Sequence, residues 1–389
     1  MKKKVIFISC SLFIGLFIAF IIIEVVLRII PNQWTYTTFK HVRDSKLGQA
    51  NPHNAEHRHA SLDYDNIIHT NKFGMRDKER TFLKKRYRIA VLGDSYVQAL
   101  QVQDDNVFTR SMENSCDEIE VLNFGVMGYG TTQEFVQYQT TVKKFSPDMV
   151  VVMLYAANDI WDNSIELHSS ANRSINDRPF FIYDENDQLK LKYPILRKKN
   201  LFSKISEIEP WLRRTSSTWH LLNYIEKKIK FLFSKKNNLE VDMLKATNDF
   251  RIKLKEDKLW MKGWQLTKSI IQKFAIEIKK DGKQFVLVNI PIEQIDTNAP
   301  PNMMTKVEME LKLLAKKNGF LFLPLTPYFL SYILENNINP PHFHFKHDGH
   351  WRPLGHRLVA TVLLEYLKNQ KIISSYNNPL KNYTVKIMH

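Results

Sequence analysis

The sequence predicts an α/β protein: a three-layer α/β/α sandwich with a parallel sheet of about five strands, preceded by one N-terminal transmembrane helix. Three observations lead to this prediction. An unbroken apolar run follows the first lysines, short apolar strands alternate with helical patterns from Tyr87 onward, and polar motifs follow several of those strands. Such alternation is typical of βαβ units, whose parallel sheets are covered by helices on both faces.

The N-terminal segment predicts a membrane anchor. Lys2–Lys4 precede an uncharged apolar run from Val5 to Ile23, and mixed apolar sequence continues to Ile30. At about 1.5 Å per residue, this length crosses a hydrocarbon core of ~30 Å. The leading lysines favour a cytoplasmic N-terminus, so the rest of the chain is expected outside the cytoplasm, in the periplasm or at the cell surface. A cleaved signal peptide is the alternative, but its apolar region is normally about 7–15 residues long.

The composition indicates a globular chain. The protein has 389 residues, is 44% hydrophobic and carries a net charge of +16. This charge suits an anionic membrane face or an acidic polymer, or it reflects a lysine-rich composition without a partner. Zinc-finger spacing, an RNP-like motif and a compact arginine stripe are all missing from the sequence, so we expect no nucleic-acid partner. Cys10 falls inside the apolar run and Cys116 far outside it, so we expect no disulfide between them.

Short β-branched runs that end near Gly or Pro predict the strands, and apolar residues at helical spacing predict the helices. The predicted strands are Tyr87–Leu92, Glu120–Phe124, Met149–Tyr155, Phe285–Ile290 and Phe320–Leu323, and the predicted helices span 131–145, 247–280, 303–318 and 354–369.

The domain organisation follows from these elements. We expect a cytoplasmic tip and anchor over 1–31, a linker and N-terminal embellishment over 32–85, the main domain over 86–372, and a tail over 373–389. An insertion at about 164–260 interrupts the main domain. Within it, Leu221, Leu222, Ile225 and Ile229 recur at helical spacing beside several lysines. This helix could lie on an anionic membrane surface or pack on its own domain, and both interpretations stay open.

The first motif with chemical meaning is Gly93-Asp94-Ser95, directly after the first predicted strand. A serine at a strand-to-helix turn is exposed and lies near the unpaired N–H groups of a helix N-terminus. In open α/β sheets the ligand crevice lies at the carboxyl ends of the strands. Taken alone, the motif could also be a turn followed by a helix cap.

Three further motifs follow in the same order as the elements. Gly128 lies in Asn123-Phe-Gly-Val-Met-Gly-Tyr-Gly after the second strand, Asn158 follows the third strand, and His350 precedes the last helix. Serine, a glycine N–H, an asparagine amide and a histidine can form a nucleophile, an oxyanion hole and a base. Each has a plain structural reading as a turn glycine, a capping asparagine or a core histidine. Their joint order at strand ends favours an active site.

Together these motifs resemble the SGNH (GDSL-like) hydrolase superfamily over about residues 70–160 and 340–369, including Asn71–Arg76. The resemblance implies Ser95 as nucleophile and His350 as its base. It also implies an oxyanion hole formed by the N–H groups of Ser95 and Gly128 and by the Asn158 amide.

One departure from the family pattern concerns the third catalytic residue. Many members place an aspartate three residues before the histidine, where this sequence has His347. Asp348, two residues before His350, is the available carboxylate, and this Asp-x-His-Trp form resembles the acetyltransferase-like branch that modifies exopolysaccharides. A metal site at His342, His344, His347 and His350 is an alternative, but the zinc-binding His-Glu-x-x-His motif and a cysteine companion are missing.

The resemblance implies a membrane-anchored serine esterase or O-acyltransferase that needs no cofactor and no metal ion. Its expected substrate is an ester-bearing glycan or lipid of the cell envelope, and its expected membrane contact is the N-terminal helix. A catalytically idle binding or assembly module of a polysaccharide system is the alternative function. The intact set of Ser95, Gly128, Asn158 and His350 counts against that alternative.

Overall fold

The computed structural model describes residues 2–29, 39–61, 63–170, 174–195, 216–218, 221–222, 225, 257–291, 295–300, 303–381, 383 and 385. Contacts divide the chain into two compact units. One comprises Met1–Thr38, Arg58–Asp65 and Arg197–Asn238, and the other comprises Phe39–His57, Asn66–Leu196 and Leu239–His389. Of the predicted insertion helix, only Leu221, Leu222 and Ile225 lie within the described residues.

Helix α1 (Lys2–Ile29) contains the apolar run of the first unit. Its window Cys10–Leu27 has a mean hydropathy of 2.8, and none of that window is buried. By length and composition this helix is able to cross a membrane, and a signal sequence near an N-terminus meets the same criterion.

Glu24 is one of the charged residues that interrupt the apolar run, and its carboxylate is fully engaged within the same unit. It accepts hydrogen bonds from the Ser216 hydroxyl at 2.9 Å and from the N–H groups of Ser217 and Thr218 at 2.8 and 2.9 Å. Because an acidic side chain in an apolar helix is costly without partners, these three donors explain why the helix tolerates it.

Short strands occur in the region that the sequence predicts as an irregular linker and N-terminal embellishment. These strands are β1 (Val42–Asp44), β2 (Gly48–Ala50), β3 (Ala55–Ala60) and β4 (Asp65–Thr70). The prediction of irregular structure was wrong. These strands are short and carry polar residues, so they lack the apolar pattern that identifies a strand in a sequence. Asn51, Met75 and Arg76 are buried there, so the region belongs to the folded core.

Five strands of the second unit form the parallel sheet, in the order β11-β10-β7-β5-β6. Their bounds are β5 (Tyr87–Gly93), β6 (Ile119–Asn123), β7 (Met149–Leu154), β10 (Gln284–Asn289) and β11 (Leu321–Pro324), while β8 (Phe180–Tyr183) and β9 (Leu189–Lys192) form a separate antiparallel hairpin. The predicted α/β fold with a five-stranded parallel sheet is confirmed, with the strand ends shifted by about one residue.

Helices cover both faces of the sheet. Along β5, Ile89 and Val91 face one apolar cluster while Ala90 and Leu92 face the other, as the two-residue period of a strand requires. The helices are α2 (Ser95–Gln98), α3 (Phe108–Ser115), α4 (Thr131–Thr140), α5 (Ala156–Asn163), α6 (Ile165–Ser170), α7 (Lys258–Lys280), α8 (Lys306–Asn318), α9 (Thr326–Asn336) and α10 (Pro353–Asn369). Helices α3, α9 and α10 share the first cluster, and α4, α5, α7 and α8 share the second.

Some helix predictions differ from the structure for identifiable reasons. The helix predicted over 131–145 ends at Thr140 and continues as a 3₁₀ turn over Val142–Phe145. The helix predicted over 247–280 begins at Lys258, where Asp257 caps it, and residues 247–256 lie outside the described residues. Helix α9 was missed because most of its residues are buried, which removes the polar face that marks an amphipathic helix.

His356 makes the stability of this fold depend on pH. Burial between the rings of Phe108 and Trp351 lowers the pKa of the His356 side chain to about 3. The folded protein keeps this ring neutral, whereas the unfolded chain protonates it below about pH 6.5. The contribution of the neutral ring to stability is therefore complete above pH 6.5 and is lost as the pH falls towards 3.

We expect the free energy of unfolding to fall below pH 6.5 with a slope from this residue of up to about 1.4 kcal/mol per pH unit. His356→Phe keeps an aromatic ring in the site and removes the proton, so the variant should lose that part of the slope. Urea unfolding of both proteins at pH 7, 6 and 5 measures it. Equal slopes in the two proteins would show that His356 does not couple folding to protonation.

Candidate active site

The structure brings the predicted site residues to the carboxyl edge of the sheet. Ser95 is the first residue of α2, directly after β5, and Asn158 lies in the first turn of α5 after β7. Gly128 lies in the loop that follows β6, and His350 lies in the loop before α10. Because β6, β5 and β7 are parallel neighbours, their carboxyl ends meet at one edge, where ligands of open α/β sheets bind.

Ser95 and His350 are in direct hydrogen-bond contact. The distance between Ser95 Oγ and His350 Nε2 is 2.7 Å, and His350 Nδ1 contacts Asp348 Oδ1 on the other side of the ring. The side chains of His350 and Asp348 are 23% and 20% exposed, so this edge is partly open to solvent. Serine, histidine and aspartate are therefore arranged in line, as a nucleophile, a base and an orienting carboxylate would be.

A short hairpin presents the histidine to the serine. His344 and Trp351 form an antiparallel bridge, and the Phe345 N–H donates to the His350 carbonyl at 2.9 Å. Gly349 has a φ of +83°, a conformation that a residue with Cβ rarely adopts. This glycine turns the chain between Asp348 and His350, so an aspartate only two residues away reaches the imidazole.

Aromatic packing holds the hairpin against the serine turn. The Tyr96 ring lies 5.0 Å from the His350 ring and 4.8 Å from the Trp351 ring. The Tyr96 hydroxyl also donates to the Gly349 carbonyl at 3.3 Å. Since Tyr96 follows Ser95 directly, the same residue fixes both partners of the serine–histidine hydrogen bond.

Asp94 connects the serine turn to Asn158. Its Oδ2 accepts a hydrogen bond from Asn158 Nδ2 at 2.6 Å, and its Oδ1 accepts one from the Tyr96 N–H at 2.9 Å. Burial raises the pKa of Asp94, while the hydrogen bonds from Asn158 and Tyr96 oppose that rise. The contact fixes the Asn158 amide with one N–H on Asp94, and its second N–H is left for another acceptor.

The glycine-rich loop after β6 approaches the serine turn closely. A Cβ at Gly125 would lie 2.2 Å from the Gln98 nitrogen, so only glycine fits there. Gln98 Oε1 accepts a hydrogen bond from the Met127 N–H at 2.6 Å, next to Gly128, which has a φ of +77°. The structure thus ties the loop that carries Gly128 to the turn that carries Ser95, through Gln98.

Arg76 clamps the far end of the serine turn. Its guanidinium donates to the carbonyls of Gln98 at 3.0 Å, of Ala99, and of Val102 at 2.5 Å, and it pairs with Asp104 at 2.9 Å. Ala99 has a φ of +57°, which costs free energy in a residue with Cβ. The Arg76 side chain is 1% exposed and binds three carbonyls at once, so it holds the chain in that conformation.

Two buried carboxyl groups lie behind Asp94. Asp159 accepts hydrogen bonds from the Thr131 hydroxyl at 2.9 Å and from the Tyr155 N–H at 2.8 Å. Both oxygens of the Glu134 carboxyl are without a hydrogen-bond partner among the described residues. Burial, together with the neighbouring acids, raises the pKa of Glu134 and of Asp159 well above the ordinary values.

Arg76, Gln98 and Asp94 support the site, yet sequence reasoning gave them no role. Asp94 lies in the Gly93-Asp94-Ser95 motif, and Arg76 is the last residue of the Asn71–Arg76 stretch. The position of Asp94 at the end of a buried strand was a signal for such a role, because a charged side chain there needs a partner. Arg76 and Gln98 gave no such signal, because their partners are distant in the sequence. Arg76 donates to backbone carbonyls, and Gln98 donates to the Asn51 side chain and accepts from the Met127 N–H.

The histidines considered as a metal site lie in different environments. His344 is buried, and burial lowers its pKa to about 4, whereas His342 and His347 are exposed. Among the described residues, the His, Cys, Asp and Glu side chains form no group of three or more suited to a metal ion.

The fold and this edge together define an α/β protein that carries a serine–histidine–aspartate arrangement at the carboxyl ends of its strands. No protein-family model matches the sequence. Curated proteins give no significant match.

A comparison with solved structures finds distant likenesses. One is Axe2, an acetylxylan esterase from Geobacillus stearothermophilus, at 12% identity and a TM-score of 0.39 over 73% of this chain and 95% of that one. Another is LAE5, an alpha/beta hydrolase enzyme from the metagenome of Lake Arreo, Spain, at 10% identity and a TM-score of 0.37 over 74% and 97%. A third is CEX, a two-domain esterase active on acetylated mannans, at 12% identity and a TM-score of 0.37 over 76% and 53%. Likenesses this distant do not define the family of the present chain.

Arg76→Lys tests the clamp on the serine turn. A lysine ammonium cannot serve three carbonyls in the fork geometry of a guanidinium, and each buried acceptor left unpaired costs about 1–3 kcal/mol. We expect a loss of at least about 2 kcal/mol in the free energy of unfolding, measured by urea titration. Arg58→Lys is the matched control, because Arg58 and Asp65 form an exposed pair and such pairs contribute about 0–1 kcal/mol. Equal losses in both variants would contradict the role of Arg76.

Proposed function

We propose that this chain is a serine-dependent ester hydrolase or O-acyltransferase of the SGNH type, working through an acyl-serine. The observation that carries the proposal is the 2.7 Å contact between Ser95 Oγ and His350 Nε2, with Asp348 on the opposite ring nitrogen. An imidazole held between a hydroxyl and a carboxylate is the arrangement that activates serine as a nucleophile.

The reaction begins when His350 Nε2 takes the hydroxyl proton as Ser95 Oγ attacks the ester carbonyl. Asp348 accepts the hydrogen bond of Nδ1–H, keeps the ring in the productive tautomer and stabilises its cation. The tetrahedral intermediate collapses, the bond to the leaving alcohol breaks, and His350 returns the proton to that alcohol. Water then attacks the acyl-serine in hydrolysis, or a hydroxyl of an acceptor attacks it in transfer, and Ser95 regains its proton.

The oxyanion would be held by the N–H groups of Ser95 and Gly128 and by the free N–H of the Asn158 amide. Asp94 supports this assignment for Asn158, since it fixes the amide group through the other hydrogen. Each such donor contributes about 2.7–4 kcal/mol to the transition state. Ser95 is the first residue of α2, and an N–H at that position has no acceptor inside its helix.

The substrate class that we propose is an O-acyl ester on an envelope glycan or lipid. The apolar helix α1 supports this choice, because an uncleaved anchor with lysines at its N-terminus would hold the catalytic unit outside the cytoplasm. The residues around Ser95 suit hydrolysis and transfer equally, since both reactions use the same acyl-serine. What differs is the acceptor, water or a sugar hydroxyl.

A fluorophosphonate probe tests the nucleophile, because it reacts covalently with activated serines. We expect the full-length protein in detergent to be labelled, Ser95→Ala to lose all labelling, and Ser115→Ala to keep it as the matched control. Labelling and p-nitrophenyl acetate hydrolysis should both continue in EDTA. If hydrolysis stops in EDTA, returns with zinc and survives in Ser95→Ala, the serine mechanism is wrong and a metal-activated water takes its place.

Asp348→Asn tests the orienting carboxylate. The amide cannot stabilise the imidazolium and favours the wrong tautomer, and the analogous change in serine proteases lowers kcat about 10⁴-fold. We expect a large fall in kcat with the fold intact, measured on p-nitrophenyl acetate. Asp117→Asn is the control, because Asp117 is exposed and precedes β6 at the opposite edge of the sheet. A variant Asp348→Asn with near wild-type kcat would remove Asp348 from the mechanism.

A further inference from the structure

The outward face of α7 is unusually rich in lysine. The exposed lysines of this helix are Lys258, Lys262, Lys273, Lys279 and Lys280. Met261 and Ile276 are exposed between them, Ile276 to 58%. At 3.6 residues per turn these positions fall on one side of the helix, because the opposite side, with Trp264 and Phe274, is buried against the sheet.

Helix α8 repeats the same pattern beside it. Its exposed lysines are Lys306, Lys312, Lys316 and Lys317. Met309 and Leu313 stand among them with 49% and 67% of their surfaces exposed. The two helices are neighbours in one layer, since Trp264 Nε1 of α7 donates to Glu310 of α8 at 2.7 Å. Their outward surfaces therefore form one continuous face, the α7–α8 face.

Acidic residues do not offset this charge. Within the fully described ranges 258–280 and 306–318, no Asp or Glu is exposed. Glu308 is buried, Glu277 pairs with Lys143 at 2.9 Å, and Glu310 pairs with Lys268 at 3.1 Å. The carboxylates of the two helices are thus either buried or paired with lysines outside the exposed set. The exposed lysines face solvent with apolar side chains between them.

We propose that the α7–α8 face docks on a membrane surface that carries anionic phospholipid headgroups. The lysines supply the charge complementarity, and Met261, Ile276, Met309 and Leu313 supply apolar groups that enter the boundary between headgroups and acyl chains. An acidic polysaccharide would use the lysines alone and would leave those four side chains in water. The apolar residues therefore favour lipid over polymer.

An anchor at helix α1 would make even weak docking of the α7–α8 face on the membrane sufficient. If α1 anchors the chain, contact between the α7–α8 face and the bilayer becomes an intramolecular step, with a high effective concentration of surface. Each lysine near an anionic surface contributes roughly a fivefold factor to association, so a few lysines decide between docked and undocked states. This inference requires the anchor, and it does not depend on the serine chemistry.

The test uses the full-length chain reconstituted into vesicles. A nitrobenzoxadiazole fluorophore is attached at Leu313→Cys in a Cys10→Ala/Cys116→Ala background. With phosphatidylglycerol in the vesicles, we expect a blue-shifted emission and an intensity at least about twice that in pure phosphatidylcholine. The difference should vanish at 1 M salt, where the Debye length is about 3 Å. The same label at Leu334→Cys on α9, which is exposed in the other helix layer, should show no lipid dependence.

Charge reversal supplies the matched variants. Lys312→Glu/Lys316→Glu should shift the docking equilibrium at least about 30-fold towards the undocked state and abolish the blue shift. Lys85→Glu/Lys368→Glu makes the same change in net charge at exposed lysines outside the α7–α8 face, and it should leave the blue shift intact. Circular dichroism melting checks that both variants remain folded.

Two results would overturn the proposal. One is the same emission from Leu313→Cys in anionic and neutral vesicles. The other is a combination of three observations. A soluble polyuronate binds the chain in neutral vesicles, Lys312→Glu/Lys316→Glu abolishes this binding, and phosphatidylglycerol has no effect on the emission. The second result would assign the α7–α8 face to an acidic polymer. Fluorophosphonate labelling of Ser95 in the same samples reports the catalytic proposal independently.

Discussion

The hydrogen bond between Ser95 and His350 joins residues 255 positions apart, and the rest of the site depends on it. A bond of this kind forms only if both ends are held, because each free side chain loses rotamer entropy when it is fixed. Ser95 is held by the buried strand β5 and the turn behind it. His350 is held by a hairpin whose Trp351 is fully buried. The contact therefore forms only when the strand that carries Ser95 and the hairpin that carries His350 are both correctly folded.

The turn that carries Ser95 is a four-residue helix with little stability of its own, since isolated short helices are marginal. Its order comes from polar side chains that reach it from elsewhere. Asn123 donates to the Val97 carbonyl at 2.8 Å, Gln98 binds Asn51 at 2.8 Å, and Arg76 binds the carbonyls that follow. Buried polar groups are costly unless they are satisfied, so this network specifies one conformation of the turn. Residues 39–85, which the sequence predicts as part of a linker and N-terminal embellishment, supply two of these side chains and thus support the site.

Sequence reasoning predicted the sheet well because strands buried on both faces leave a strong local signal, such as Met149–Leu154. It also selected Ser95 beside a strand end and His350 before a helix, and the family resemblance added Asp348. The structure brings these three residues into contact. What sequence reasoning could not predict was the partner of each polar side chain. Arg76 binds carbonyls more than twenty residues away, and no local pattern encodes that pairing. Helix α9 was missed for the opposite reason, since most of its residues are buried and this hides the periodicity that identifies a helix.

The geometry of an α/β sandwich keeps the proposed serine chemistry and the proposed surface docking apart. The strand ends define one edge, where Ser95 and His350 meet, while the α7–α8 face is the outer surface of a covering helix layer. Substitutions of Lys312 or Lys316 leave the inward packing of Leu311 and Ala315 unchanged, because inward and outward positions alternate around the helix. Charge on the outer face can therefore change without altering the serine turn. A basic, partly apolar outer face is therefore compatible with the buried polar network on which the serine–histidine contact rests.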